Sequence, residues 1–394
     1  MKRVTRLLCI FFSLMFLATT TAGLVLAKGA KVGVILPLTG KLAMFGEIEN
    51  KSYLLAVHEI NSAGGINGKE IELLIEDTAG KPDVGRSAIH KLISQDKVIV
   101  VCGGFSSSVT WATAASAQEH KIPFLVNTAS ADKITEQGWE YIFRLNPPVS
   151  EYQKTLASFL KKIARVKTAA VLYENTPFGL FGVKKFMQLR KKLNLNLVMK
   201  EGYEPAVLDF RPLLAKIRTK NPGFVYMISY VMDSALFVRQ AKEMNLIPRL
   251  LVGCSTGFAS TEFQEIAGDA SNYVYSPTLW APSVPYPGAK RYYNNFMAMY
   301  NSPTDYHGAQ AYAAMYVIAD ALKRAKSLTP KDVRDALVDT DMMTVFGPVK
   351  FASYGKKSRQ NRLPTLLVQW INGRLETVWP KKVATARYVY PVPK

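Results

Sequence analysis

Short apolar runs alternate with amphipathic stretches along most of this chain, and they do so in two successive series. In the first series, residues 32–36, 70–76, 98–101 and 123–126 read as strands. Residues 46–61, 84–94 and 107–119 between them carry helical periodicity. The second series begins after Pro147-Pro148. Its strands are expected at 168–173, 195–201, 224–228 and 250–252, and its helices at 151–164, 179–193, 210–219 and 233–244. Strands that alternate with helices make mostly parallel sheets covered on both faces. At 394 residues the chain also exceeds what one hydrophobic core supports, about 250–300 residues. The expected fold is therefore α/β, with two Rossmann-like lobes of parallel sheet flanked by helices.

The breaks between the series predict the connections. Residues 146–149, 279–282 and 351–354 are expected as three crossovers. They divide the chain into a first lobe (28–147 with 280–352) and a second lobe (148–279 with 353–394). After a helix expected at 306–325, the tail reads as strands at 345–351, 365–370 and 374–378. Asn372-Gly373 reads as a tight hairpin turn.

The N-terminus reads as an export leader. Lys2, Arg3 and Arg6 precede the apolar residues 7–17, and Val25-Leu26-Ala27 fits a small-x-small cleavage site, so residues 1–27 are expected to be removed. Thr19, Thr20, Thr21 and Gly23 interrupt the run before it reaches the ~20 residues of a membrane span. The destination is the periplasm or another extracytoplasmic space. The formal net charge is +20, but the lysines fall singly or in pairs along helices, as a solvated face does. With an export leader, this argues against a nucleic-acid partner and leaves weak attraction to anionic membranes or solutes. Cys102 and Cys254 each follow an apolar run and read as buried free thiols.

Ligands of open parallel sheets bind beyond the carboxyl ends of the strands. There the chain places Gly103-Gly104-Phe105-Ser106-Ser107-Ser108, Asn127-Thr128-Ala129-Ser130, Tyr230 and Ser255. Free N–H groups and serine hydroxyls at a helix start suit a carboxylate or phosphate, and equally suit plain capping. Enzyme signatures are poor. The four histidines lack metal-ligand spacing, and no cofactor is called for. Gly253-Cys254-Ser255-Thr256-Gly257 matches the nucleophile-elbow pattern, but the downstream acid and histidine, Asp305 and His307, sit together at one helix start. A serine hydrolase at Ser255 is the minor alternative, and no enzyme is expected.

The chain resembles the type I periplasmic solute-binding proteins of the Leu/Ile/Val-binding family. The marks are Val32-Gly33-Val34-Ile35-Leu36-Pro37-Leu38-Thr39-Gly40, Glu59-Ile60-Asn61-Ser62-Ala63-Gly64-Gly65-Ile66-Asn67-Gly68, the serines after Gly104, Ala309-Gln310-Ala311-Tyr312 and Phe346-Gly347-Pro348-Val349. The resemblance implies two lobes that close on a branched-chain or hydrophobic amino acid, or a related small carboxylate, and pass it to the permease subunits of an ABC importer. A ligand sensor of the same fold is the alternative. It also implies ligand positions. Ser107, with the backbone of Phe105, would hold the ligand carboxylate. Ser130 and Thr128 would add a hydroxyl and a backbone acceptor, and Phe45 would cover the ligand side chain. On the second lobe, Tyr230 keeps a family tyrosine. Phe178 stands where another tyrosine belongs, and Ser255 stands where an acid pairs with the ligand ammonium. Either another acid, such as Asp233 or Glu174, replaces that charge, or the ligand lacks an amino group.

Overall fold

The computed structural model describes residues 29–246, 248–254 and 257–393, so the expected export leader and Ser255 lie outside the described residues. Its strands form two seven-stranded sheets. The first contains β1 (Ala30–Leu36), β2 (Ile71–Asp77), β3 (Val100–Gly103), β4 (Phe124–Val126) and β5 (Ile142–Arg144). The second contains β6 (Thr168–Glu174), β7 (Asn196–Tyr203), β8 (Phe224–Ile228), β9 (Leu251–Gly253) and β10 (Tyr275–Thr278). A separate hairpin pairs β11 (Asp341–Thr344) with β12 (Gly347–Lys350). The tail supplies β13 (Ala352–Tyr354), β14 (Lys357–Gln360), β15 (Leu366–Ile371) and β16 (Arg374–Trp379). The sheet orders are β13-β14-β5-β4-β3-β1-β2 and β16-β15-β10-β9-β8-β6-β7. Each sheet has a parallel centre and one antiparallel edge.

Burial on both faces explains the continuous apolar runs. All five residues of β8 are buried, because helices cover that sheet on either side. The Tyr306–Arg324 helix packs along Ala43–Ser62 on the first lobe, and the Val149–Phe159 helix packs beside Pro177–Lys192 on the second. Asn372 and Gly373 both have positive φ, as the expected hairpin turn requires. Cys102 and Cys254 are free and buried.

The expected boundary at residue 353 is corrected. β13 and β14 join the first sheet, with Gln360 paired in parallel with Arg144, so the third crossover is 361–365. This short polar hairpin has no apolar run to announce it. Buried polar groups hold it instead. The Arg144 guanidinium bonds the Gln360 side-chain oxygen at 2.6 Å, the Ala131 carbonyl at 2.7 Å and the Thr135 hydroxyl at 3.0 Å. The Gln360 amide donates to the Asn146 carbonyl at 2.8 Å, and the Gln310 amide donates to the Asn146 side-chain oxygen at 2.6 Å. The first and third crossovers are thus tied into one buried network beside the cleft.

Candidate functional site

The carboxyl ends of β1 and β3 on one lobe face those of β6 and β8 on the other. Between them lies a cavity of about 470 Å³. The first lobe lines it with Gly40–Leu42, Ala79–Lys81, Ser106 and Ser108, and the second lobe with Glu174, Thr176, Pro205, Ala206 and Tyr230–Asp233.

The first-lobe wall is the start of the Ser107–Glu119 helix. Gly103 and Gly104 have φ of 107° and 84°, a region open to glycine, and this turns the chain from β3 directly into that helix. No side chain caps the helix start. Its leading N–H groups therefore remain available beside the Ser106 and Ser108 hydroxyls, which lie 2.9 Å apart.

The second-lobe wall is acidic. Glu174 ends β6 and is 1 % exposed, and Asp233 lies in the first turn of the Val231–Glu243 helix and is 6 % exposed. Thr176 donates to the Glu174 carboxylate at 2.7 Å, and the Ala206 N–H donates to Asp233 at 3.1 Å. Neither acid forms an ion pair among the described residues. Burial pushes Glu174 up to about 7, with the Thr176 bond opposing and Asp233 reinforcing the shift. Burial also raises Asp233, against the Ala206 bond and the attraction of Lys41. The helix after β6 must come close to the strand end to shape this wall. At Gly179 a Cβ would stand 2.0 Å from the Glu174 carbonyl oxygen.

The eight residues named from the sequence divide into two groups, apart from Ser255, which is not described. Phe45, Phe105, Tyr230 and Phe178 form a chain of rings from one lobe to the other. Centroid separations are 4.8, 6.1 and 5.2 Å along it. Tyr230 also lines the cavity and bonds the Ser106 side chain across the lobes. Ser107, Thr128 and Ser130 are buried and engaged within their own surroundings. The Ser107 hydroxyl accepts the Ala131 N–H at 3.2 Å, the Thr128 hydroxyl donates to Glu49 at 2.6 Å, and Ser130 bonds Tyr152. The hydroxyls on the cavity belong to Ser106 and Ser108 instead.

Sequence reasoning missed two further acids. Glu49 is fully buried beneath Asn127 and Thr128, and burial pushes it up to about 7 against those two bonds. It follows Phe45 by one helical turn, so its place on the buried face was readable from spacing. Burial likewise pushes Glu262 up to about 7, with Asp305 of the first lobe adding to the shift. No local signal marks it. His307 bonds Asp305 at 2.8 Å and packs against Phe45 and Phe105.

The lobes also meet at an ionic contact next to the first crossover. Asp132 of the first lobe lies 2.8 Å from Lys357 and 3.5 Å from Lys185 of the second lobe. Burial raises the Asp132 pKa, but bonds from Lys357 and Ser150 outweigh it and hold the carboxyl below its usual range. Lys185→Ala removes one closing contact without touching the cavity. Ligand affinity should fall about two- to fivefold, in line with a partly exposed pair, while the melting point of the free protein stays within about 2 °C. Calorimetric titration and a thermal scan check both parts.

Comparison with known proteins places this architecture. The family model described as periplasmic binding protein matches residues 29–374. The chain belongs to the periplasmic binding protein family. Among curated relatives of this binding protein, Leu/Ile/Val-binding protein homolog 7 of Brucella suis is 27% identical over 375 residues, covering 92% of this chain and 94% of the relative. Homolog 8 from the same organism is 29% identical over 406 residues, covering 98% of each. Among solved structures, LivJ from Streptococcus pneumoniae in complex with isoleucine superposes with a TM-score of 0.82 at 27% identity, covering 90% of this chain and 100% of that one. A solute-binding protein from R. palustris in complex with benzoate gives 0.80 at 21% identity, covering 92% and 98%, a likeness of fold alone. Relatives of this periplasmic binding protein thus include proteins named for Leu/Ile/Val binding and for branched-chain amino acid transport. Its relatives are substrate-binding proteins and not enzymes, which removes the hydrolase alternative.

Proposed function

We propose that this protein is the extracytoplasmic substrate-binding component of an ABC importer, and that its interlobe cavity holds a small zwitterion, an amino acid with an apolar side chain. The cavity's opposed polarity carries this reading. Uncapped N–H groups and two serine hydroxyls stand on one wall, and two buried acids that form no ion pair among the described residues stand on the other. A carboxylate fits the first wall, where charge-assisted bonds contribute about 1.5–3 kcal/mol each. An ammonium fits the second, because a buried carboxylate is costly until a cation joins it. Of the two options left open by Ser255, a replacement acid is favoured, and Glu174 and Asp233 are in place to provide it.

Closure around the solute would swing the lobes about the segments near 145–148, 279–282 and 361–365, and permease subunits in the membrane would receive the closed form. The export leader at residues 1–27 would deliver the protein to the periplasm. A second reading has its own support. The ring chain through Phe105, Tyr230 and Phe178 would suit an aromatic carboxylate, the class bound by the R. palustris protein. A free sensor of the same fold is the third. No helix among the described residues is long and apolar enough to cross a membrane.

Mass spectrometry of small molecules released from protein purified without denaturation and then unfolded decides between the first two. An amino acid is expected, and adding it back should raise the melting point in a concentration-dependent way. A released aromatic acid without an amino group would favour the second reading.

A further inference from the structure

A run of unbalanced positive charge lies on the second lobe. Residues 160–200 contain ten lysines and arginines and a single acid, and that acid is Glu174, buried in the cleft. The fold brings seven of these cations together. The Val149–Phe159 helix continues as a wider turn over Leu160–Ala164, which carries Lys161 and Lys162 and leads through Arg165 and Lys167 into β6. The neighbouring Pro177–Lys192 helix ends on Arg190, Lys191 and Lys192 just before β7. Both helices therefore finish at the amino-terminal edge of the parallel sheet, whereas the cavity lies beyond its carboxyl-terminal edge.

Lys161, Lys162, Arg165, Lys191 and Lys192 are exposed, and none pairs with a carboxylate among the described residues. The tail extends the surface. Lys381, Lys382 and Arg387 are exposed there, and half-buried Trp379 lies beneath Lys162 at 5.9 Å. Tyr388 packs beside Trp379 on Phe159. Flexible point charges around an amphipathic Trp and Tyr suit a wide, diffuse anionic surface better than a discrete phosphate, which arginine forks recognise.

We infer that this end of the second lobe docks reversibly on anionic phospholipid headgroups of a bilayer. The contact is electrostatic and holds the protein at the membrane with the cleft turned away from the lipid. It does not depend on which solute the cleft carries. Each lysine near such a surface adds to the attraction, and salt screens it over about a Debye length.

The test is co-sedimentation with large unilamellar vesicles, either pure phosphatidylcholine or phosphatidylcholine with one-third phosphatidylglycerol, at low and at high salt. Three proteins are compared: the wild type; a variant with Lys161, Lys162, Lys191 and Lys192 each changed to Glu; and a control with Lys97, Lys290, Lys323 and Lys326 of the first lobe changed to Glu. Wild type is expected to pellet with the anionic vesicles alone, and to be released by salt. The second-lobe variant should lose at least tenfold in partitioning and the control less than threefold, with ligand titration unchanged in both. If the four-fold variant misfolds, Lys161→Gln with Lys191→Gln should still lose about threefold. Equal losses in both charge-reversed proteins would mean net charge alone is at work and would overturn the inference. So would wild type that stays in the supernatant, or that ignores the vesicles yet binds a single-stranded oligonucleotide at the same salt.

Discussion

Glu174→Gln is expected to weaken binding of an amino acid about 30-fold or more and to leave binding of its deaminated analogue nearly unchanged. The glutamine keeps the volume and the bond from Thr176 but removes the charge that the ammonium needs. Losing one partner of a buried charge pair costs about 2–5 kcal/mol, which sets the magnitude. The same substitution should change the pH dependence. Burial raises Glu174 to about 7, so near neutral pH a proton competes with the ammonium for its carboxylate. Wild-type affinity for the amino acid should therefore fall towards tenfold per unit as pH drops below 7, and the variant should lose that slope.

Stability of the free protein runs the other way. The folded pKa of Glu174 lies above the unfolded 4.5, so its contribution is complete below pH 4.5 and is lost as pH rises through about 7. At pH 8 the unliganded variant should be the more stable by about 1–3 kcal/mol. Titrations of leucine and 4-methyl-2-oxopentanoate at pH 6, 7 and 8, with thermal scans, check these statements together. Equal loss for both compounds would mean that Glu174 shapes the wall without meeting an amino group.

Arg144→Met is expected to cost about 3–5 kcal/mol of stability. Arg144 is fully buried and bonds the Ala129 and Ala131 carbonyls, the Thr135 hydroxyl and the Gln360 amide oxygen. Burial lowers its pKa to about 10, and Asp132 opposes that fall. Methionine fills similar space but leaves several buried acceptors without donors and Asp132 with less positive charge nearby. Arg144→Lys should recover little, because an ammonium cannot reproduce the planar fork. Both variants should melt at least ~5 °C below wild type, and the Gln360 amide should exchange its hydrogens faster. An unchanged melting point in Arg144→Met would show that the edge hairpin stands without this network.

Much of the architecture was legible because apolar patterning reports burial directly. β8 reads as a continuous apolar run and is buried throughout, and Asn372-Gly373 announces the turn its dihedrals adopt. The β13–β14 hairpin was illegible for the opposite reason. Its place depends on Gln360, Lys357 and Arg144 meeting partners more than two hundred residues away, which no local period records.

At the site, the rings at Phe45, Phe105, Phe178 and Tyr230 were readable as a group. Which of three consecutive serines faces the cavity was not. The helix phase at its first turn decides that, and it turns Ser107 toward Ala131 while Ser106 and Ser108 line the opening. Glu174 and Asp233 could be named as candidate acids from their positions after strands. That both would stand buried and on one wall required the fold.

A crystal structure of the protein with the solute it retains through purification would show which groups meet the ligand's two ends. Closed lobes are expected, with the ligand carboxylate at the start of the Ser107–Glu119 helix and its ammonium about 3 Å from Glu174 or Asp233. A ligand seated elsewhere between the lobes, or one with no amino group and with both acids facing water, would contradict this.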